Sequence, residues 1–148
     1  DTIIECGIYA PSGKNMQTWR FTVLTDKKQI CQWKELVMSR AAEHKVRVSG
    51  FENPAALVLI SNDIRNKNGA QDSSCAAENI MLAANAYGLG SVWINALLTM
   101  CDDEEIRNQL KQWGIPDRHQ VWAMIALGYP EGEAKSPKRN LNVVSYVK

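Results

Sequence analysis

The chain has 148 residues, 45% of them hydrophobic and 22% charged, with 17 Lys and Arg against 16 Asp and Glu for a net charge of +1. This is the composition of a folded globular chain and excludes disordered and fibrous classes; with no basic stripe it also argues against nucleic acid as the main partner. Apolar runs such as Val121 to Leu127 fall far short of the roughly 20 residues of a membrane helix, and no linker or repeat divides the sequence, so one domain over residues 1–148 is expected.

In chain order, Ile3, Ile4, Ile8 and Tyr9 share a helical face that Pro11 brings to a stop. The chain opens at Asp1 inside this apolar stretch, so the natural N-terminus is expected to lie upstream. A-P-S-G-K-N-M-Q then reads as a loop, and Trp19 to Leu24, alternating and rich in aromatic and β-branched residues, as a strand. Asp26 is placed to cap an amphipathic helix carrying Ile30, Trp33, Val37 and Ala41 and running to about His44. Pro54 opens A-A-L-V-L-I, a buried strand, and Asn62 to Gln71 reads as a loop. Asp72 or Ser73 is expected to cap a second helix, whose alanine-rich length up to Gly88 leaves little polar surface and suits a central or interface position. Ser91 to Asn95 has strand character. Asp102 and Glu105 read as the capping box of a helix with Ile106, Leu110 and Trp113, and Gln120 to Leu127 is the last strand before a tail punctuated by Pro130, Gly132 and Pro137. A mixed sheet with helices on both faces accommodates these elements.

Most of the familiar chemical motifs are absent. Cys6, Cys31, Cys75 and Cys101 are far apart and have no histidine at ligand spacing, which points to small, buried, reduced side chains in a cytoplasmic protein rather than to zinc or a disulfide frame. Gly88-Leu89-Gly90 follows a helix and precedes a strand, the reverse of a dinucleotide fingerprint. His44 and His119 sit in polar surroundings and read as exposed residues, and the carboxylates from Asp102 to Glu105 read as a helix start. The loop from Pro11 to Gln17 is richer: Ser12, Gly13, Lys14, Asn15 and Gln17 offer hydrogen-bonding side chains, a cation and free amides, the equipment for a flat heteroaromatic ligand and a phosphate.

Three blocks of sequence together resemble the FMN-dependent nitroreductase family. A-P-S-G-K-N-M-Q-T-W is similar to that family's A-P-S-x-x-N-x-Q-x-W. A-A-E-N-I-M-L-A-A-N-A-Y-G-L-G-S-V-W-I resembles its central helix and the turn that follows, and A-L-G-Y-P-E-G with Lys138 and Arg139 resembles its closing strand and basic tail. The resemblance implies an α+β fold, a three-layer α-β-α sandwich with a mixed, mainly antiparallel central sheet and helices on both faces. It further implies a homodimer with FMN at the interface, NAD(P)H as hydride donor, and a nitroaromatic, quinone or similar flat acceptor. Carried over by position, the flavin contacts would be Pro11, Ser12, Gly13, Asn15 and Gln17, commonly serving the partner's site, with Gly90, Ser91, Trp93, Ile94 and Asn95 along the ring and Lys138 and Arg139 near the phosphate or pyrimidine edge. No side chain is expected to act as a nucleophile. The family's Arg-x-Ser-x-Arg phosphate segment has no counterpart here, Lys138 and Arg139 are adjacent where the family often spaces two basic residues, and Asn95 and Ala96 stand where it often has glycine or an acid. The alternative is a protein that binds or delivers flavin with little turnover.

Overall fold

The computed structural model describes residues 1–132 and 136–147. The sequence supplies helices α1 (Thr2–Ile8), α2 (Lys27–His44), α3 (Gly69–Ala86), α4 (Leu97–Met100) and α5 (Glu104–Gln112), and strands β1 (Trp19–Leu24), β2 (Ala56–Asp63), β3 (Gly90–Ile94) and β4 (His119–Gly128). The strands form one sheet in the order β1-β2-β4-β3, and each of its described pairings is antiparallel.

Side-chain alternation along the central strands builds the layers. Leu57 and Leu59 of β2 face one side, where they pack with Ile30, Trp33 and Val37 of α2 and with residues of α4 and α5. Val58 and Ile60 face the other side, against Ala76, Ala77, Ile80 and Ala84 of α3, with Ile3 and Ile4 of α1 at the margin. Helices therefore cover both faces of an antiparallel sheet, giving the expected α+β sandwich. No helix among the described residues is long and apolar enough to cross a membrane.

Several boundaries follow from the local chemistry. β1 and α2 occupy the expected spans, and the Asp26 side chain accepts from the Gln29 amide to cap α2. α3 begins earlier than expected, at Gly69 after Asn68, because Asp72 does not cap it and Ser73 is buried within it. Asn62 and Asp63 belong to β2 rather than to a loop; both continue the ladder to β4, opposite Gln120 and His119. α5 is capped one residue later than expected, by Asp103, which accepts from the amides of Glu105 and Ile106. The cysteines are less uniform than expected: Cys101 is buried, Cys6 half-buried, and Cys31 and Cys75 exposed. One irregularity interrupts β4. Ser61 lies opposite Val121 but Ile60 lies opposite Ala123, so Trp122 is an extra residue, a β-bulge.

Candidate functional site

The loop between α1 and β1 is held in an unusual conformation. Gly13 to Asn15 form a single 3₁₀ turn, and Lys14, Asn15 and Gln17 all have positive φ, at 54°, 55° and 47°. For residues with a Cβ this conformation costs of order 1–2 kcal/mol each, so the surroundings must enforce it. Ser12 Oγ accepts from the Gln17 amide at 3.1 Å, and Gln17 Nε2 donates to Asn15 Oδ1 at 2.8 Å. The Gly13 amide donates to Asp72 Oδ1 at 2.9 Å. A Cβ on Gly13 would lie 2.1 Å from Asn68 Nδ2, so the glycine lets the loop sit flush on the start of α3. Pro11, Asn15 and Gln17 are exposed and Ser12 and Gly13 half-buried, leaving a stiff loop with polar groups toward solvent.

Trp93, Ile94 and Asn95 lie at the far edge of the sheet. They line a cavity of about 410 Å³ together with the chain from Val46 to Ser49. The preceding residues pass close to β3: Gly50 has a φ of 94°, and a Cβ there would stand 2.7 Å from Val92 Cγ1. Arg47 and Ser49 on this stretch are exposed and face the same cavity as Trp93 and Asn95. Sequence reasoning missed them because neither belongs to a motif; only the packing of their segment against β3 brings them to this cavity. As an edge strand, β3 also turns alternate backbone N–H and C=O groups outward.

The expected site residues thus fall into separate places. The Pro11–Gln17 loop and the turn after β3 occupy the same end of the sheet, since Trp19 lies opposite Asn62, and Gln120 Nε2 donates to the carbonyl of Leu97 at 3.2 Å. They are on opposite edges, however, three strand spacings or roughly 14 Å apart. Gly90 and Ser91 line a different cavity of about 320 Å³, toward the other end of β3. Lys138 and Arg139 are exposed, outside any helix or strand. An apolar cavity of about 680 Å³, lined by Ile3, Ile4, Ile8, Val23, Leu127 and Tyr129 among others, includes none of the expected site residues.

The titratable groups outside these places have structural surroundings. Contrary to the sequence expectation, His119 is buried, at 9% exposure, because β4 begins at it and Ser61 Oγ lies 3.1 Å from its Nδ1. Burial lowers its pKa below 6.5, against the pull of Asp63. Hydrogen bonds and charge from Arg65, with Arg118 adding to them, hold Asp63 far below the usual carboxylate range. Burial pushes Asp103 up, but hydrogen bonds from His44, Arg40 and the Ile106 amide outweigh it and hold its pKa at about 2. Burial raises the Cys101 thiol, which suits a packing role rather than a nucleophile.

These shifts fix the sign of the acid response. All three of His119, Asp63 and Asp103 bind protons less readily folded than unfolded, so stability falls as pH falls. The loss begins below the ordinary histidine value of 6.5 and steepens below the ordinary aspartate value of 3.8, toward the folded value of about 2 for Asp103. Urea midpoints measured from pH 8 to pH 3 are expected to decline in these two stages, and His119→Gln is expected to flatten the first. A midpoint that rises on acidification to pH 5 would contradict this assignment.

The comparisons with known proteins agree with this architecture. The Nitroreductase family model matches residues 1–129. A nitroreductase crystallised with bound FMN from Bacteroides fragilis superposes with a TM-score of 0.88 at 31% identity, over 99% of this chain and 84% of that one. An Archaeoglobus fulgidus protein, named by inference an NADH dehydrogenase/NAD(P)H nitroreductase, is 28% identical over 90% of this chain and 73% of its own length. The NADPH-flavin oxidoreductase of Vibrio harveyi is 28% identical over 88% of this chain, which spans 55% of that enzyme. The chain belongs to the nitroreductase family.

Proposed function

We propose that this chain is an FMN-dependent NAD(P)H oxidoreductase acting as a homodimer, each flavin held between the Trp93–Asn95 edge of one protomer and the Pro11–Gln17 loop of the other. The observation that carries the reading is the pairing of two polar, ligand-ready elements at the same end of the sheet but on opposite edges, too far apart to grip one flat ring within a single chain. A second protomer brings them together. Exposed apolar side chains on the described residues support the dimer. They include Leu82 and Tyr87 on or beside α3 and Leu141, Val143 and Val144 of the tail.

The residues fit the cofactor. Asn15 and Gln17 offer side-chain amides on a rigid loop, and Trp93 and Asn95 line a cavity whose wall also includes the exposed Arg47. Lys138 and Arg139 remain candidates for the phosphate. When bound, FMN would supply the redox chemistry between NAD(P)H and a nitroaromatic, quinone or other flat acceptor, with its N5 as the hydride-carrying atom. The chain holds the ring, shields one of its faces and places donors and positive charge where negative charge develops.

Visible spectra of the purified chain, before and after FMN is added and the excess removed, test the reading. A retained flavin spectrum that bleaches anaerobically with NADH or NADPH and returns on adding a quinone is expected. Flavin retention without NAD(P)H consumption would favour a flavin-binding or flavin-delivering protein, and failure to retain FMN would reject both.

A further inference from the structure

Resting on the FMN reading, we infer that Asp72 is a positioning residue that locks the Pro11–Gln17 loop in its flavin-binding conformation through a buried polar strut. Asp72 lies in the first turn of α3 and is 5% exposed. An acidic side chain there would ordinarily serve its own helix end. Its two oxygens are instead used elsewhere: Oδ1 accepts from the Gly13 amide, 59 residues away, and Oδ2 accepts from Asn66 Nδ2 at 2.9 Å. Asn66 Nδ2 also donates to Thr18 Oγ1 at 2.8 Å, and Thr18 Oγ1 donates to Asn62 Oδ1 at 2.6 Å. The strut therefore ties both ends of the loop, at Gly13 and at Thr18, to the junction of β2 and α3. Between those two anchors lie all three of the loop's positive-φ residues, Lys14, Asn15 and Gln17. The N-cap Asn68 makes no side-chain capping bond, and its amide donates to Asn66 Oδ1 at 2.9 Å, so the start of α3 is organised around the loop rather than around its own free amides.

Relaxation of the loop would cost flavin affinity without necessarily costing the fold, because the two cores lie elsewhere. Asp72→Asn replaces one acceptor oxygen by a donor of nearly the same shape and must lose one of the two bonds. Thr18→Val, also close in shape, breaks the far anchor. The test is FMN titration of the 148-residue chain by flavin fluorescence, with apoprotein melting temperatures and hydrogen exchange of the Gly13 amide recorded alongside. Asp72→Asn is expected to weaken FMN about tenfold, as loss of one buried bond implies, and to speed exchange at Gly13; Thr18→Val should act in the same direction. Ser61→Ala, which removes the partner of His119 at another site, controls for general destabilisation and should lower the melting temperature with FMN affinity unchanged. FMN dissociation constants within about twofold of the parent in both strut variants would overturn the inference, since a tenfold change is what one such bond is worth. If the parent takes up no FMN, the oxidoreductase reading fails on its own account. Exchange at the Gly13 amide then decides the strut: unchanged protection in Asp72→Asn overturns it.

Discussion

Replacing Trp33 by alanine is expected to lower the unfolding free energy by about 3–5 kcal/mol, a large part of the roughly 5–15 kcal/mol typical of a domain. Trp33 is 1% exposed at the centre of the core between α2 and the sheet. Its ring meets Trp113 edge-on with centroids 4.9 Å apart, and its indole N–H points at Met124 Sδ at 3.2 Å. Truncation removes an aromatic pair, a weak hydrogen bond and the bulk that joins α2 and the end of α5 to β4. Surrounding side chains on three rigid elements cannot collapse fully into the gap. The melting temperature should fall by roughly 6–20 °C, whereas Trp33→Phe, which keeps most of the volume, should lose far less. A Trp33→Ala melting point within about 3 °C of the parent would contradict the packing, since even 1 kcal/mol shifts a domain of this size by about that much.

Asn15→Ala is expected to weaken FMN binding by at least about tenfold, through two separable effects. The first is loss of a side-chain hydrogen bond toward a buried ligand, together with loss of the acceptor for Gln17 Nε2; one such bond is worth about 1–3 kcal/mol. The second is conformational. With φ at 55°, position 15 lies in the left-handed region that asparagine tolerates better than alanine does. Asn15→Gly separates the two, because glycine removes the side chain and relieves the backbone. Affinity for Asn15→Gly is expected to fall between the parent and Asn15→Ala in an FMN titration. Equal affinities for all three proteins would remove the loop from the flavin site.

The parts of the fold that were legible in the sequence are those set by local periodicity. β1 alternates and α2 repeats every three to four residues between a capping aspartate and a polar end, and both spans were read correctly. Elements decided by distant partners were misread. Asp72 looked like a helix cap because nothing nearby in the chain reveals that its partner is the Gly13 amide. His119 looked exposed because its neighbours in sequence are polar, while its neighbour in space is Ser61. α4 is only four residues long and gave no pattern to detect. For the candidate site, the motif residues could be named from the family resemblance, but their distribution over two sheet edges could not. Arg47 and Ser49 emerge only because the chain from Val46 to Gly50 packs against Val92 and Ile94 on one face of β3.

The surplus residue at Trp122 governs the phase of β4. Were Trp122 paired as an ordinary ladder residue, side-chain alternation would run unbroken by residue number, and every residue between the α5–β4 turn and that point would change sides. His119 and Val121, which now share a face with Ser61 and the α2 layer, would be turned toward α3. The strand is thus two half-strands in opposite phase, joined at one residue. Substitution at position 122 alters a side chain; deletion there removes the bulge, sets Val121 next to Ala123 and leaves both on their present faces. A residue lost elsewhere in β4 has no such slack to absorb it and turns the stretch beyond it to the opposite face, so position 122 is where this strand best tolerates a change in residue number.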